Sequence, residues 1–494
     1  MLNHLKNETN VAYSENGARA FATTKSAVLD FFAQGGALRY RDETEIITLF
    51  TKAFGENPLL AMKALFYFRD IRGGQGERNT FRTIVKYLAN HHAQTMEKNI
   101  HLISLFGRWD DVYHLFGTQL ENRAGELIKE QFKNDMNSET PSLLGKWLKS
   151  ENASSYETKK LARKTREILG LTPKQYRKSL SSLRKKINIV ESVMTERRWG
   201  EIEYDKLPSQ AGLKYRQAFF RNDEERYREF LSAVAKGEKK INVKDLFPYE
   251  IVRKIPSYDE VIHDRKYNIV FGHAENEEVL NTMWDNLPDY VNGAHENAIS
   301  VIDTSGSMEG LPIEIALSIG IYHAERNNGP FKNHFISFSQ KPQLIEMQGA
   351  TFCEKVRNMS RTYWDSNTNI EAVFELILDT AIKHRVSDDE MVKKVYIVSD
   401  MEFDSATNMR KNNQLFRELR ARFEEKNVPF PTLVFWNVNG RNAQFPMTMD
   451  DNGVQFVSGA SPTIFTNLIR GNFMNPYDLM LDVLNDERYE QVTA

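Results

Sequence analysis

The stretch that most constrains the fold is Ala298-Ile-Ser-Val-Ile-Asp303-Thr-Ser305-Gly-Ser307-Met308. An apolar, β-branched run of this kind predicts a strand covered on both faces, as in a parallel sheet. It breaks off into Asp-x-Ser-x-Ser, which sets a carboxylate and two hydroxyls at alternate positions. Gly306 lets the backbone turn, and a helical pattern opens at about Pro312. Open α/β sheets bind ligands at the carboxyl ends of their strands. Three oxygens there make half of a hard-cation shell, since Mg²⁺ takes roughly six at about 2.1 Å and keeps some as water. Taken alone, the pattern equally suits a strand ending in a serine-rich, N-capping turn.

Two later stretches narrow the choice. Trp364-Asp-Ser366-Asn367-Thr368-Asn369-Ile370 opens a helical pattern over Ile370–Ile382 and offers Thr368 as a further hydroxyl. Val395-Tyr-Ile-Val-Ser399-Asp400 is a second buried strand ending in a carboxylate. This order of motifs resembles the von Willebrand factor A domain and its metal-ion-dependent adhesion site. The resemblance implies that Ser305, Ser307 and Thr368 bind Mg²⁺ (or Mn²⁺) directly, with Asp303 and Asp400 acting directly or through water. The remaining position would take a carboxylate or phosphate oxygen from a partner. The chain departs from that pattern twice. Ser366-Asn367 precede Thr368, and Met401 follows Asp400, where glycine is frequent.

A chain of 494 residues predicts at least two domains. Its 41% hydrophobic and 27% charged residues are those of an ordinary globular protein, with no membrane partner expected. A formal net charge of −2 excludes a general nucleic-acid coat, so any basic function is local. The single cysteine, Cys353, excludes internal disulfides and a cysteine-based zinc site and suits a reducing interior. The first residues lack the apolar core of a signal peptide, and no run approaches the ~20 apolar residues of a membrane span. A cytoplasmic location is the expectation.

Along the chain, residues 1–35 read as a lead-in with a helix near Thr24–Ala33. Helical patterns follow at Glu45–Ala53, Pro58–Phe68, Asn79–Asn90, Asn99–Phe106 and Trp109–Phe116. Apolar residues recur at three- and four-residue spacing, as in Leu59, Met62, Leu65 and Phe66. Short helices with short connections suggest stacked pairs of the HEAT kind. Arg72-Gly73-Gly74-Gln75-Gly76-Glu77-Arg78 lacks the Gly-Lys-Ser/Thr of a P-loop and follows no strand, so it reads as an interhelical turn. Residues 134–156 read as a polar loop around Trp147.

The most basic segment comes next. Lys159, Lys160, Arg163, Lys164, Arg166, Lys174, Arg177, Lys178, Arg184, Lys185 and Lys186 stand against one acid, Glu167, with Tyr176 interleaved. Lys160, Arg163 and Lys164 share a helix face, as do Lys174, Arg177 and Lys178. Solvated faces generally mix signs. The imbalance therefore predicts contact with nucleic acid through phosphate neutralisation, with aromatic stacking as an added term. Arg197, Arg198 and Trp199 follow. Further helices are expected at Tyr215–Phe220 and Asp223–Val234. Residues 253–297 read as a connection with a helix at Glu277–Leu287.

From 298 onward, strands and helices alternate. Strands are expected at 298–303, His334–Phe338, Gln343–Met347, 394–400, Thr432–Trp436 and Val454–Val457. Helices are expected at 312–327, Phe352–Arg361, 370–385, Asn408–Glu425, Pro462–Ile469 and Pro476–Asn485. The fold class is thus multidomain: an α-helical, HEAT-like part over 1–290, and a doubly wound, mainly parallel α/β part of von Willebrand A type over 291–494.

Catalysis is not expected. Ser305-Gly306-Ser307 is no Gly-x-Ser-x-Gly elbow, and no histidine completes a triad. Two carboxylates among hydroxyls describe a cation better than an acid/base pair. Glu402 and Asp404 either tune that site or stay solvated. His91-His92 reads as a helix face.

The resemblance reaches beyond the metal motif. Phe66-Tyr-Phe-Arg-Asp-Ile-Arg-Gly-Gly-Gln-Gly-Glu-Arg78, Arg198-Trp199-Gly-Glu-Ile-Glu-Tyr204, Phe247-Pro-Tyr-Glu-Ile251 and Val398-Ser-Asp-Met-Glu-Phe-Asp404 resemble one family found in plants, fungi, bacteria and tailed phages. That family resembles the Ro autoantigen, in which a helical-repeat TROVE ring joins a von Willebrand A domain and binds small non-coding RNAs. The resemblance implies an RNA-binding, Ro-like ribonucleoprotein with a Mg²⁺-dependent A domain. The alternative is a metal-dependent protein-interaction scaffold that binds no RNA, and a metal-dependent hydrolase ranks third.

Overall fold

Capping side chains fix where many of the helices begin. Asp42 accepts from the Thr44 amide to start the helix Glu43–Glu56, and Asn57 accepts from Leu60 to start Pro58–Arg69. Ser155 and Thr172 start Tyr156–Ile168 and Pro173–Lys186, the second with Gln175 completing a capping box. The computed structural model describes residues 9–262, 266–338, 341–362, 368–405, 414–471 and 475–494.

Ahead of residue 250 the described chain is helical apart from two two-residue strands, β1 (Ala12–Tyr13) and β2 (Arg19–Ala20). The helices expected at Glu45–Ala53, Pro58–Phe68 and Asn79–Asn90 form as Glu43–Glu56, Pro58–Arg69 and Asn79–His91, and the Arg72–Arg78 stretch is the turn between the last two. Gly74 is required there, since a Cβ would meet the Tyr67 carbonyl oxygen at 2.0 Å. Residues 134–156 are less loop-like than their polarity suggests. The helix Glu121–Asn137 runs into them, and Leu144–Trp147 forms another turn of helix. Burial of Ile128 and Phe132 on one face pulls a mostly polar segment into helix. The two helices expected between 215 and 234 form one, Ser209–Ala235, kinked at Asp223 (φ −155°, ψ 45°).

The 253–297 connection holds a hairpin that the sequence reading missed. Strands β3 (Ser257–Ile262) and β4 (Lys266–Phe271) pair antiparallel along their whole length. Asp259 and Glu260 in β3 hide the strand pattern, while Val270 and Phe271 in β4 are buried.

The second half is a six-stranded sheet of β5 (Ala298–Ile302), β6 (His334–Ser337), β7 (Gln343–Glu346), β8 (Lys394–Ser399), β9 (Thr432–Asn437) and β10 (Val454–Ser458). Their spatial order is β10-β9-β8-β5-β6-β7, parallel throughout except for the β6–β7 pair. All six expected strands are present, and β5 lies beside and parallel to β8. Helices Leu311–Arg326, Phe352–Ser360, Ile370–His384, Leu415–Glu425, Ile464–Arg470 and Pro476–Leu484 follow the expected alternation. Gly320 lets the first of these lie against β5, because a Cβ there would meet Ile302 at 2.1 Å. Residues 364–367 before Thr368, with Ser366 and Asn367, and the start of the expected Asn408–Glu425 helix lie outside the described residues.

Both ends of the chain cross between the halves. The N-terminal segment runs over the α/β half, with Phe21 and Phe445 exchanging two backbone hydrogen bonds of 2.8 Å. The C-terminal segment lies on the first helices: Arg488 binds Asp70, Tyr489 stacks on Phe106, and Asn99 bonds the Thr493 backbone twice.

Candidate functional site

Residues 298–302 are wholly buried, and the Asp303 amide extends the ladder by donating to the Val398 carbonyl at 3.0 Å. This places Asp303 beside the end of β8, where Asp400 emerges. Both carboxyls are buried. Asp303 Oδ1 accepts from the Ser305 amide at 2.9 Å, and Oδ2 from the Ser399 hydroxyl at 2.6 Å. The Ser305 and Ser307 hydroxyls are 3.0 Å apart. Asp400 Oδ1 accepts from the Glu402 amide at 3.3 Å. Its Oδ2 is buried without a hydrogen bond, 3.6 Å from the Arg441 guanidinium.

Burial and the neighbouring Asp400 push the Asp303 carboxyl up to about 7, against the bonds from Ser399 and Ser305. Burial raises Asp400 too, opposed by the Ser307 hydroxyl, the Glu402 amide and Arg441. Two neighbouring buried carboxyls, both raised by burial and one with an orphaned oxygen, suit a divalent cation. No cluster of three or more His, Cys, Asp or Glu side chains suited to a metal occurs among the described residues. The expected set is of another kind, two carboxylates with three hydroxyls, which is a hard-cation set.

The structure brings Asp303, Ser305, Ser307 and Asp400 together. Thr368 stands at the start of the helix Ile370–His384, and its hydroxyl is engaged elsewhere. It bonds Asp404 Oδ1 at 2.8 Å and the Glu402 carbonyl at 2.9 Å, and accepts from Asn16 Nδ2 at 2.8 Å. Met401 adopts φ +68° with a buried side chain, so methionine holds the left-handed backbone that glycine would take freely.

Glu402, which the sequence left as either a tuner of the site or a solvated acid, is drawn into it, and Glu15, Asn16, Arg441 and Asn442 carried no signal in the sequence. Glu402, raised by burial, accepts from the Glu15 amide at 2.6 Å and from Asn442 at 3.0 Å. Arg441 pairs with Glu15 at 2.9 Å. Glu15 and Asn16 lie almost 400 residues from Glu402, so no local motif links them.

The basic run forms two helices, Tyr156–Ile168 and Pro173–Lys186. Lys159, Lys160, Arg163 and Lys164 line one face of the first, beside Tyr156, which is 72% exposed. Lys164 is paired with Glu121, and Arg166 with Glu151. Arg184 donates to the Gly145 and Leu148 carbonyls, and Lys186 Nζ to those of Met136 and Ser138, so these two close the helix onto its neighbours. Lys160, Arg163, Lys174, Arg177, Lys178 and Lys185 are exposed. Tyr176 is not available for stacking. Its ring is buried and its hydroxyl donates to the Lys149 carbonyl at 2.7 Å.

Comparison with known families places the helical half. Residues 14–168 and 142–294 match the family described as a domain of unknown function, DUF2828, and together these span more than half of the chain. The chain belongs to the DUF2828 family. Residues 297–491 match a second description, domain of unknown function DUF7788. An uncharacterized protein of Acanthamoeba polyphaga mimivirus is 29% identical over 517 residues, covering 96% of this chain and 87% of the viral one. The crystal structure of the Deinococcus radiodurans RO (RSR) protein is 12% identical, covering 91% of this chain and 100% of that one, with a TM-score of 0.44.

Within the DUF2828 match lies a buried charge network. Arg69 is fully buried and bonds Asp111 at 2.7–2.8 Å, while Arg82 bridges Asp111 and Asp110 at 2.7 and 2.8 Å. Lys149 also binds Asp110. Arg108 stacks over Trp147 at 5.0 Å, and burial with nearby Arg78 and Arg69 pushes it down to about 10. These groups tie the helices at 58–69, 79–91 and 109–112 to the Trp147 turn that carries the basic helices. No helix among the described residues is long and apolar enough to cross a membrane.

Proposed function

We infer that this protein is an RNA-binding, Ro-like protein, and that its α/β half holds Mg²⁺ in a von Willebrand A-type site. One observation carries the RNA reading: in a chain of net charge −2, six exposed cations lie on two consecutive helices, Tyr156–Ile168 and Pro173–Lys186, while Glu121 is paired with Lys164 and both Glu151 and Glu167 with Arg166. Such a surface neutralises phosphates and gains affinity from counterion release. The motif resemblance to Ro-type proteins, with a TROVE or HEAT-like helical part, names a small non-coding RNA as the ligand class. The lone cysteine, buried Cys353, fits a cytoplasmic setting.

In the α/β half, Asp303, Ser305, Ser307 and Asp400 would hold the cation, with Thr368 joining once its hydroxyl is released. The bound cation supplies a positive centre that attracts a carboxylate or phosphate oxygen. The protein acts by binding, not by turnover. A scaffold that captures protein carboxylates without RNA is the second reading, favoured by Arg441 already gripping one carboxylate, that of Glu15, beside Asp400. Filter binding with total RNA, followed by sequencing of RNA that co-purifies, tests the first reading. Absence of both retained and co-purified RNA would hand first place to the scaffold.

A further inference from the structure

The N-terminal hairpin ends on the cation site. Its tip is a turn, in which the Gly17 amide donates to the Ser14 carbonyl at 3.0 Å and Gly17 takes φ +87°. The tip docks through polar contacts. The Ser14 hydroxyl donates to the Phe403 carbonyl, and Asn16 Nδ2 donates to the Glu402 carbonyl at 2.7 Å. Gly17 bridges Asp404, and the Ser405 amide donates to the Asn16 carbonyl at 3.2 Å. Glu15, Asn16 and Gly17 are exposed, whereas Ala18, Ala20 and Phe21 behind them are buried. The root is anchored by apolar burial, whereas beyond the buried Ser14 the tip is held by hydrogen bonds and one ion pair, which a competing polar ligand can replace while the root stays.

We propose that the tip Ser14–Gly17 is an internal ligand of the Asp303–Asp400 site, and that the outside partner is an extended acidic peptide whose carboxylate takes Arg441 from Glu15. This rests on the reading of that site as a cation site. Two geometric facts carry it. A single guanidinium, Arg441, spans Glu15 at 2.9 Å and Asp400 at 3.6 Å, so the carboxylate of the tip is held at the rim of the site by the group that faces the orphaned Asp400 oxygen. The Asn16 amide also donates to the Thr368 hydroxyl, taking one of its two lone pairs, while the hydroxyl itself is turned to the Glu402 carbonyl and Asp404. Tip and cation therefore compete for Thr368, while tip and partner compete for Arg441. The single antiparallel bridge between Gly17 and Asp404, with the Ser405 amide donating to the Asn16 carbonyl, gives an incoming extended peptide backbone partners at the same place.

The test uses the full chain as wild type, as the tip variant Glu15→Gln/Asn16→Ala, and as that variant with Arg441→Gln. Mg²⁺ titrations are read by melting temperature. Binding of a fluorescein-labelled peptide with the sequence of residues 12–20 is read by anisotropy, in Mg²⁺ and in EDTA. The tip variant should half-saturate at about fivefold lower Mg²⁺ than wild type, the worth of one hydrogen bond removed from a ligand oxygen. It should bind the peptide at least about tenfold more tightly than wild type does, and Arg441→Gln should abolish that gain. Equal Mg²⁺ curves, together with no gain in peptide binding, would overturn the proposal and leave the tip as packing. If neither protein responds to Mg²⁺, the cation reading falls. Peptide binding to the tip variant in EDTA, lost on Arg441→Gln, then upholds the internal ligand by itself, and its absence sinks it.

Discussion

Asn16 Nδ2 donates to Thr368 Oγ1 at 2.8 Å, across 352 residues of chain. This bond joins the N-terminal hairpin to the start of the helix Ile370–His384. It fixes the direction of a hydroxyl that the sequence motif assigns to a cation. Arg441 likewise joins Glu15 of that segment to Asp400, so the N-terminal segment and the Asp303–Asp400 cluster form one structural unit.

Asp303→Asn is the cleanest probe of the cation. The amide keeps the shape, with its oxygen accepting from the Ser305 amide and its NH₂ turned to donate to the Ser399 hydroxyl, but it removes one of two neighbouring buried charges. Without metal, the variant should gain on the order of 1–2 kcal/mol at pH 8. With Mg²⁺, the melting temperature of wild type should rise and that of the variant should stay fixed. Equal Mg²⁺-dependent shifts in the two proteins would rule the site out.

For the basic helices, Lys174, Arg177 and Lys178 replaced together by glutamine keep helix propensity and remove three exposed charges from one face. On single-stranded RNA each phosphate contact contributes a slope of about −0.7 in log affinity against log salt. The triple variant should bind more weakly, with a slope shallower by roughly two. Asp303→Asn should leave that slope alone. A triple variant that binds RNA like wild type would reduce the run to a solvated face.

Arg69→Met tests the network beneath the Arg72–Arg78 turn. It fills similar space but leaves Asp111 buried with Arg82 as its remaining guanidinium partner. Removing one member of a buried pair costs about 3–5 kcal/mol. Urea unfolding should show a loss of that size. The double variant Arg69→Met/Asp111→Leu should recover part of it, and a single-variant loss below about 1 kcal/mol would mean the pair is solvated in solution.

His323 sets a pH dependence. It is buried against Phe465 and Tyr396, its Nδ1 is 2.9 Å from the Ser300 hydroxyl, and burial pushes it down to about 3 from an ordinary 6.5. The unfolded chain takes up the proton first, so this stability is intact above pH 6.5 and lost as pH falls toward 3. The loss should be about 1.4 kcal/mol per pH unit in that window. Comparing urea unfolding at pH 7.5 and 5.5, His323→Gln should show a smaller drop than wild type, and equal drops would mean the imidazole is not held neutral.

Periodicity made the architecture legible. The run Ala298–Ile302 and the run Val395–Ser399 are apolar on both faces, which is affordable only inside a covered parallel sheet, and they pair as neighbours. Asp303, Ser305, Ser307 and Asp400 stood out because they follow the ends of two buried strands, and the pairing of β5 with β8 puts those two ends side by side. The hairpin Ser257–Phe271 did not, since its charged first strand carries no alternation and its pairing is fixed by contact with the helix Phe352–Ser360, where the Phe271 amide donates to Ser360 Oγ at 3.1 Å.

The sequence by itself determined the mostly helical first half, the succession of strands along the second half and the carboxylates and hydroxyls that follow two of its strands, because local spacing decides backbone period and strand ends. Only the tertiary structure decided which cations of 159–186 are spent on neighbouring acids and carbonyls, where Thr368 directs its hydroxyl, and that Glu15, Asn16 and Arg441 belong to the Asp400 site. Those relations join residues tens to hundreds of positions apart, and the direction of a polar side chain follows from the partner that folding brings to it.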